Sequence, residues 1–230
     1  MDDGSGVGVI DKTVALLQAA STGPVTLADL VDRTGISRPT AHRLAVALEH
    51  HGLLERDETG RFRLGLRLLQ WGGETDPLVS RAQEAVAALR DATQVSAQVY
   101  RRQGDSRLCI AAAEPASGLR DSVPVGALLS MRAGSAAQVL IAWSDASAIR
   151  VALGTSAFTA EDLATVRERG WAHSQGQREP GVASISAPVR DREGAVVAAV
   201  SLSGPIDRLS RPTKSQVAAL SRAAQRLSSG

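Results

Sequence analysis

The chain has 230 residues, 43% of them apolar and 3% aromatic, with 26 Lys and Arg against 24 Asp and Glu and a single cysteine, Cys109. The length fits two modest domains that each bury a core, no run approaches the roughly 18 uncharged apolar residues of a membrane span, and one cysteine excludes an internal disulfide and suits a reducing cytosol. A net charge of +2 does not by itself mark any segment as a nucleic-acid reader, so that signal has to be sought locally.

The first residues, MDDGSGVGVIDK, are acidic and lack the basic and apolar regions of a signal peptide, which predicts a cytoplasmic protein. Gly6-Val7-Gly8 follows no strand and reads as a flexible lead-in rather than a dinucleotide fingerprint. Val9, Thr13, Leu16 and Leu17 form the inward stripe of an opening helix that ends near Thr22-Gly23-Pro24. A second helix carries Leu27, Leu30 and Val31 on one face, with Thr26 as its cap, Asp29 completing an imperfect capping box and Gly35 closing it. A third opens at Ser37, whose side chain is expected to accept first-turn amides, and Pro39 sits where a missing N–H does no harm. Its inward stripe is Ala41, Leu44, Ala45 and Leu48; Pro39, His42, Arg43 and Val46 face out, flanked by Arg38 and Thr40.

Two strand-like runs, Leu53 to Arg56 and Arg61 to Leu64, flank the turn Asp57-Glu58-Thr59-Gly60. Two helices meeting at a glycine turn, followed by a two-stranded ribbon, predict a winged helix-turn-helix. The expected DNA-contacting residues are Ser37, Arg38, Pro39, Thr40, His42 and Arg43 on the recognition helix and Arg61 and Arg63 on one strand face of the wing. Arg43 is assigned to base readout, Arg38 and Ser37 to phosphate; the same arginines also fit ordinary solvated charges. Residues 1 to 76 hold eight Lys or Arg against eleven Asp or Glu, whereas residues 37 to 67 hold six arginines against four acids. A basic edge on an acidic domain predicts binding by a shaped surface, with salt dependence.

Gly65 to Trp71 reads as a short helix broken by Gly72-Gly73-Glu74-Thr75-Asp76-Pro77. The domains expected are 1–65, the reader; 66–76, a linker helix whose Leu66, Leu69 and Trp71 form a dimer seam or a patch on the reader; and 77–230. From Pro77 the pattern gives a helix to about Asp91, strands at Val95 to Arg101 and Arg107 to Ala113, and helices at Gly134 to Trp143 and Ala160 to Arg169. Strands at Val182 to Arg190 and Ala195 to Ser203 and a helix from about Thr213 complete it. Hairpin-linked strands with helices between pairs predict an α+β domain with an antiparallel sheet flanked by helices. With a four-residue loop at Asp191-Arg192-Glu193-Gly194, Ala183, Ile185, Ala187 and Val189 share an apolar face with Val196, Ala198, Val200 and Leu202. The other face then pairs Ser184 with Ser201, Ser186 with Ala199 and Val182 with Ser203, small walls with hydroxyls that suit a pocket for a polar guest, or else serines under a loop.

VGVIDKTVALLQA, LADLVDRTGISRPTAHRLAVALEHHGLLER, RFRLGLRLL and REPGVASISAPVRDREGAVVAAVSLSGPIDRL, in this order and spacing, resemble the IclR family of bacterial transcription regulators over nearly the whole chain. YRRQGDSRLCIAAAEPASGLRDSVPVGALLSMRAGSAAQVLIAW is most similar to the actinobacterial branch associated with leucine and tryptophan biosynthesis. The resemblance implies a GAF-like effector domain after the winged helix, an opening helix that helps pair two subunits, and a homodimer or dimer of dimers on a pseudo-palindromic operator of double-stranded DNA. Carried over by position, the effector site comprises Ser184, Ser201 and Ser203 with Ser135 and Ala136 from the turn that opens a helix, whose first amides suit a carboxylate. Ser174 stands where acid-binding relatives have aspartate, which counts against a glyoxylate-like ligand; a carboxylate or an amino-acid-pathway metabolite remains the expected effector class.

Catalytic readings find little support. Cys109 lies in an apolar strand without a positioned base, and His42, His50, His51 and His173 show no zinc spacing. Ser184 and Ser201 have no histidine and carboxylate at a recognisable spacing, so no catalytic residue, metal or cofactor is assigned. The alternative to a regulator is a small-molecule binding or catalytic domain with an N-terminal protein-interaction module.

Overall fold

The computed structural model describes residues 6–72 and 76–228, and the chain divides into two compact units between Thr75 and Asp76. The expected helix break at Gly73, Glu74 and Thr75 lies outside the described residues. Among the described residues no helix is long and apolar enough to cross a membrane.

The first unit opens with α1 (Gly8–Ser21), α2 (Leu27–Thr34) and α3 (Arg38–His50), continues with the hairpin β1 (Leu54–Arg56) and β2 (Phe62–Leu64), and ends with α4 (Leu66–Gly72). Leu16, Ala20, Leu30, Ala41, Ala45, Leu48, Leu54 and Phe62 fill one core. The capping box of α2 is complete: Asp29 N donates to Thr26 Oγ1 at 3.1 Å and Thr26 N donates to Asp29 Oδ2 at 2.8 Å. Those bonds hold the Asp29 carboxyl below its ordinary pKa. Gly35, at φ 67°, ends α2 in the left-handed conformation. At Gly65 the backbone donates to Leu53 O at 2.9 Å, and a Cβ there would fall 2.1 Å from the Gly52 carbonyl, so α4 leaves the hairpin through a contact only glycine permits.

Three expectations fail here. Val9 is 57% exposed, because α1 rolls so that Leu16 and Ala20 face the core, leaving Val9, Ile10 and Val14 outside. Ser37 makes no side-chain cap; its hydroxyl donates instead to Thr40 Oγ1 at 3.0 Å. Arg61 precedes β2 rather than lying in it, since the Asp57 turn takes its backbone: Arg61 N donates to Asp57 Oδ1 at 2.9 Å.

The second unit holds α5 (Pro77–Thr93), β3 (Ser96–Gln103), β4 (Ser106–Ala113), β5 (Leu128–Ser130), α6 (Ser135–Ala142), α7 (Ala146–Leu153), α8 (Ala160–Arg169), β6 (Ala172–Gln175), β7 (Val182–Arg190), β8 (Val196–Pro205), α9 (Ile206–Leu209) and α10 (Lys214–Ser228). The six strands form one antiparallel sheet in the order β5-β4-β3-β8-β7-β6. α5 and α10 cover one face through Val86, Leu89, Leu220 and Ala224, packed on Val99, Ile185, Val200 and Leu202. α6 and α8 cover the other through Val139, Ile141, Leu163 and Val166, packed on Tyr100, Cys109 and Ala199. At the start of the unit Asp76 caps α5, accepting from Leu78 N at 2.9 Å, and Arg101 of β3 donates to the same carboxylate at 2.5 Å.

Two bulges decide what faces where. Opposite the step from Val99 to Tyr100 the register of β4 passes from Ala111 to Cys109, so Ala111 packs against α5 while Cys109 turns toward α6. In the β7–β8 hairpin Asp191 N donates to Ala195 O at 3.0 Å, which shortens the loop to Arg192-Glu193-Gly194, and a bulge between Val189 and Arg190 slips the register again. The expected pairing is therefore corrected by two positions: Ser184 lies opposite Ser203 and Ser186 opposite Ser201. A two-residue slip preserves the faces, except that Val196, beyond the bulge, joins the core under α6 instead of the apolar face expected for it.

Candidate functional site

In the first unit the edge of α3 stands ready for a partner. Arg38, Pro39, His42 and Arg43 are exposed, and neither Arg38 nor Arg43 has a hydrogen bond or ion pair among the described residues. The reason is local: Ala41, Ala45 and Leu48 take the buried stripe, and Pro39 sits in the first turn, so the long cationic side chains leave on the opposite side. Arg38, Pro39 and His42 line a groove with Leu27, Arg56 and Phe62. Thr40 is half-buried and held by Ser37. On the wing, Arg63 pairs with Glu55 at 2.7 Å, and Arg56, not singled out from the sequence, pairs with Glu49 at 3.1 Å and lies 4.2 Å over the Phe62 ring. Arg61 is exposed. Arg56 and Arg63 are thus oriented by carboxylates and an aromatic face, whereas Arg38 and Arg43 of α3 have no such partner among the described residues.

In the second unit the antiparallel registers gather serines that are far apart in sequence. Ser174 of β6 lies opposite Ser184 of β7, Ser184 opposite Ser203 of β8, and Ser203 opposite Ser96 of β3. The adjoining row runs Ala172, Ser186, Ser201 and Gln98. α6 begins above these rows. Ser135 Oγ is 2.7 Å from both Ser184 Oγ and Ser186 Oγ, Ser186 Oγ is 2.7 Å from Ser201 Oγ, and Ser174 Oγ is 2.9 Å from Ser184 Oγ. Ser203 donates to Gln98 Oε1 at 3.0 Å. Each of these hydroxyls is both donor and acceptor, so the network closes on itself without a charged member.

The expected effector residues Ser135, Ala136, Ser174, Ser184, Ser201 and Ser203 all line this one cavity. At the start of α6, Gly134 N donates to Gln177 Oε1 at 3.0 Å and Ser135 N to Ser174 Oγ at 3.1 Å, while the Ala136 and Ala137 amides of the first turn have no partner among the described residues. The space left among the lining groups is about 20 Å³, room for one water. A larger groove of about 190 Å³ between α5 and α10 is walled by alanines with Arg222 and Arg226, and lacks converging buried polar groups.

The cavity also has members that sequence reading missed: Gln98, Tyr100, Arg107, Asp121 and Arg178. Arg107 Nη1 donates to Ser130 O, and the guanidinium lies 5.4 Å from the Tyr100 ring centre. Burial pushes Arg107 down to about 10 and raises the Tyr100 phenol above its ordinary value. Arg178 donates to Asp121; burial works against its charge, but that bond and the carboxylate's charge outweigh it and hold its pKa above the usual arginine value. Within the described residues, the side-chain atoms Gln98 Nε2 and Arg107 Nε are buried donors with no partner. Their common signal in the sequence was a polar residue inside an otherwise apolar strand, Gln98 in β3 and Arg107 in β4, each at a buried position. Cys109 is fully buried and pushed up to about 11 by burial, which disfavours the thiolate, and among the described residues no cluster of His, Cys, Asp or Glu is placed to hold a metal ion.

Two family models match: an IclR helix-turn-helix domain over residues 9–58 and the bacterial transcriptional regulator IclR C-terminal domain over residues 74–229. The HTH-type transcriptional regulator BhcR of Paracoccus denitrificans is 28% identical over 249 aligned positions, covering 100% of this chain and 89% of its own. The glycerol operon regulatory protein of Streptomyces griseus is 27% identical, covering 87% and 85%. Among solved structures, an IclR homologue from Microbacterium hydrocarbonoxydans complexed with 4-hydroxybenzoate superposes with a TM-score of 0.72 at 22% identity, covering 95% of this chain and 97% of that one. An IclR regulator from Alicyclobacillus acidocaldarius gives 0.69 at 23% identity, covering 96% and 98%.

Proposed function

The chain belongs to the IclR family of bacterial transcriptional regulators, and from that premise we propose that it is a cytoplasmic homodimer, or dimer of dimers, that binds a pseudo-palindromic operator and releases or tightens it when a small effector enters the serine-lined cavity. In this reading residues 1–65 read DNA, residues 66–76 link, and residues 77–230 sense the effector. Ser37, Arg38, Pro39, Thr40, His42 and Arg43 face the groove of the duplex, with Arg61 and Arg63 on flanking phosphates. Ser135, Ala136, Ser174, Ser184, Ser201 and Ser203 surround the effector. The genes controlled are those of amino-acid synthesis, the leucine and tryptophan pathways first, on the resemblance of residues 100 to 143 to that branch.

The observation that carries the reading is the pair of exposed, unpartnered guanidiniums of Arg38 and Arg43 on the open side of α3. A forked cation with no partner among the described residues is suited to bridge the two major-groove acceptors of a guanine or to sit on a phosphate. The test begins with DNA recovered by immunoprecipitation of the full-length protein from its host, followed by fluorescence anisotropy on the recovered site. Arg43→Ala is expected to lose about 1 to 3 kcal/mol, or roughly 5- to 150-fold in affinity, and to relax one operator position, while Arg38→Ala weakens all sequences alike and reduces the salt slope. Recovery of no DNA, or an Arg43→Ala protein that binds like wild type, would overturn the proposal.

A further inference from the structure

We propose that residues 114–125 form a strap closing the mouth of the serine-lined cavity, and that the ion pair between Asp121 and Arg178 is its latch. The inference rests on the reading of that cavity as the effector site and adds the moving part through which any guest enters.

The cavity as it stands has room for one water, so its walls have to part. Most of them are fixed. Gln98, Tyr100, Arg107 and the wall serines of β6, β7 and β8 sit in strands paired within the sheet, and Gly134, Ser135 and Ala136 begin α6, every residue of which is buried. Only Asp121 and Arg178 reach the cavity from loops. Arg178, with Val182 and Ser184, also marks the opening: these three are half-buried, whereas the other lining residues are buried.

The two loops differ in how they are held. Beside Arg178, Gln177 Oε1 accepts from Gly134 N at 3.0 Å and from Gln138 Nε2 at 3.3 Å, which pins that turn to α6. Across from it, residues 115–123 make no backbone–backbone hydrogen bond among the described residues. The side chains of Arg120 and Ser122 bond only to Pro115 and Glu114 of the same segment. Residues 116–120 are exposed, Leu119 to 84%. Between its ends the strap is tied at two residues: Val123, buried with its carbonyl 3.8 Å from Cys109 Sγ, and Asp121, 7% exposed and bonded to Arg178. A carboxylate drawn out of water stays there because a guanidinium meets it; without that partner its burial is a cost. The latch thus decides whether the strap lies down.

The test reads opening from two residues that the strap seals, in the full-length protein without ligand or DNA. Cys109 is the single cysteine and Tyr100 the single tyrosine, 0% and 4% exposed. Cys109 is followed with dithiobis(nitrobenzoate), whose disulfide the thiolate attacks, keeping one half and releasing the other as thionitrobenzoate. Tyr100 is followed by nitration with tetranitromethane in a Cys109→Ala background, located by peptide mass. Asp121→Asn and Arg178→Gln are each expected to speed both reactions roughly 10- to 100-fold, the loss of one charge-assisted bond. The double variant should react no faster than the faster single, because the two residues make one contact. Wild-type rates should depend only weakly on urea below the unfolding transition, the mark of a local opening; that measurement needs no latch variant and decides the matter if both misfold. Rates unchanged in both variants, or wild-type labelling with the full urea dependence of global unfolding, overturn the strap. A faster Cys109 with Tyr100 unmoved overturns its role at the cavity. Either failure leaves the effector reading standing; that reading fails separately, as an operator affinity that the small-molecule filtrate of host cells leaves unchanged.

Discussion

Four arginines divide the molecule into two kinds of surface. Arg38 and Arg43 stand in solvent on α3 with nothing among the described residues to hold them, whereas in the second unit Arg107 is buried against Tyr100 and Arg178 is half-buried and fastened to Asp121. In the exposed pair the ordering of the side chain is left to the partner, so affinity depends on salt and on the regular spacing of a polymer's charges. For the second pair the chain's own groups, Asp121, Ser130 and Tyr100, set most of the ordering before any partner arrives. The first surface is free to approach anything anionic; the second has to be opened.

If that contrast is sound, damage to the second unit's network should register as lost folding stability rather than as lost DNA affinity. Ser186 is fully buried and joins Ser135 to Ser201, so Ser186→Ala is expected to cost about 1 to 3 kcal/mol of unfolding free energy. Urea denaturation in a Trp71→Phe background, followed by the fluorescence of Trp143 and Trp171, measures it, and unchanged stability would break the comparison. A smaller effect, confined to the first unit, is expected for Thr26→Ala. It removes the hydroxyl half of the α2 capping box, for about 1 kcal/mol, and circular dichroism should show it as an earlier loss of helix with the tryptophan transition of the second unit unmoved.

The smallest concerns His173, whose Nε2 is 2.8 Å from Leu209 O and whose pKa is lowered, by burial first and by Arg169 second. As pH falls below 6.5 the unfolded chain takes up the proton before the folded one, so the second unit loses stability in that range and regains it as pH rises. His173→Gln should flatten the slope of melting temperature between pH 7 and 5.5, and an identical slope in the variant would remove His173 from the account.

The reader was legible because its signals are local. Thr26 with Asp29, Gly35 and Pro39 each act within one turn of chain, and each sits at the element end expected of it. The β7 strand was equally plain, and parity alone kept its serines on the right face even though the shorter loop and the bulge at Val189 together moved their pairs by two. What could not be read were consequences of chain insertion and distance. The bulge in β4 turns Arg107 and Cys109 away from the face taken by Ala111, and nothing in the alternation announces it. Asp121 and Arg178 come from separate loops and meet only in the folded unit. α7 escaped notice because it buries no residue, and β6 because Ala172-His173-Ser174-Gln175 has no apolar rhythm.

β3 carries Gln98 and Tyr100 toward the cavity and, one position on, sends Arg101 to the opposite side, where it grips the Asp76 carboxylate that caps α5. That strand is a lever with its two arms a single peptide apart. The backbone that walls the cavity is thus also the backbone that fastens the first residue of the second unit, with one peptide between the two tasks.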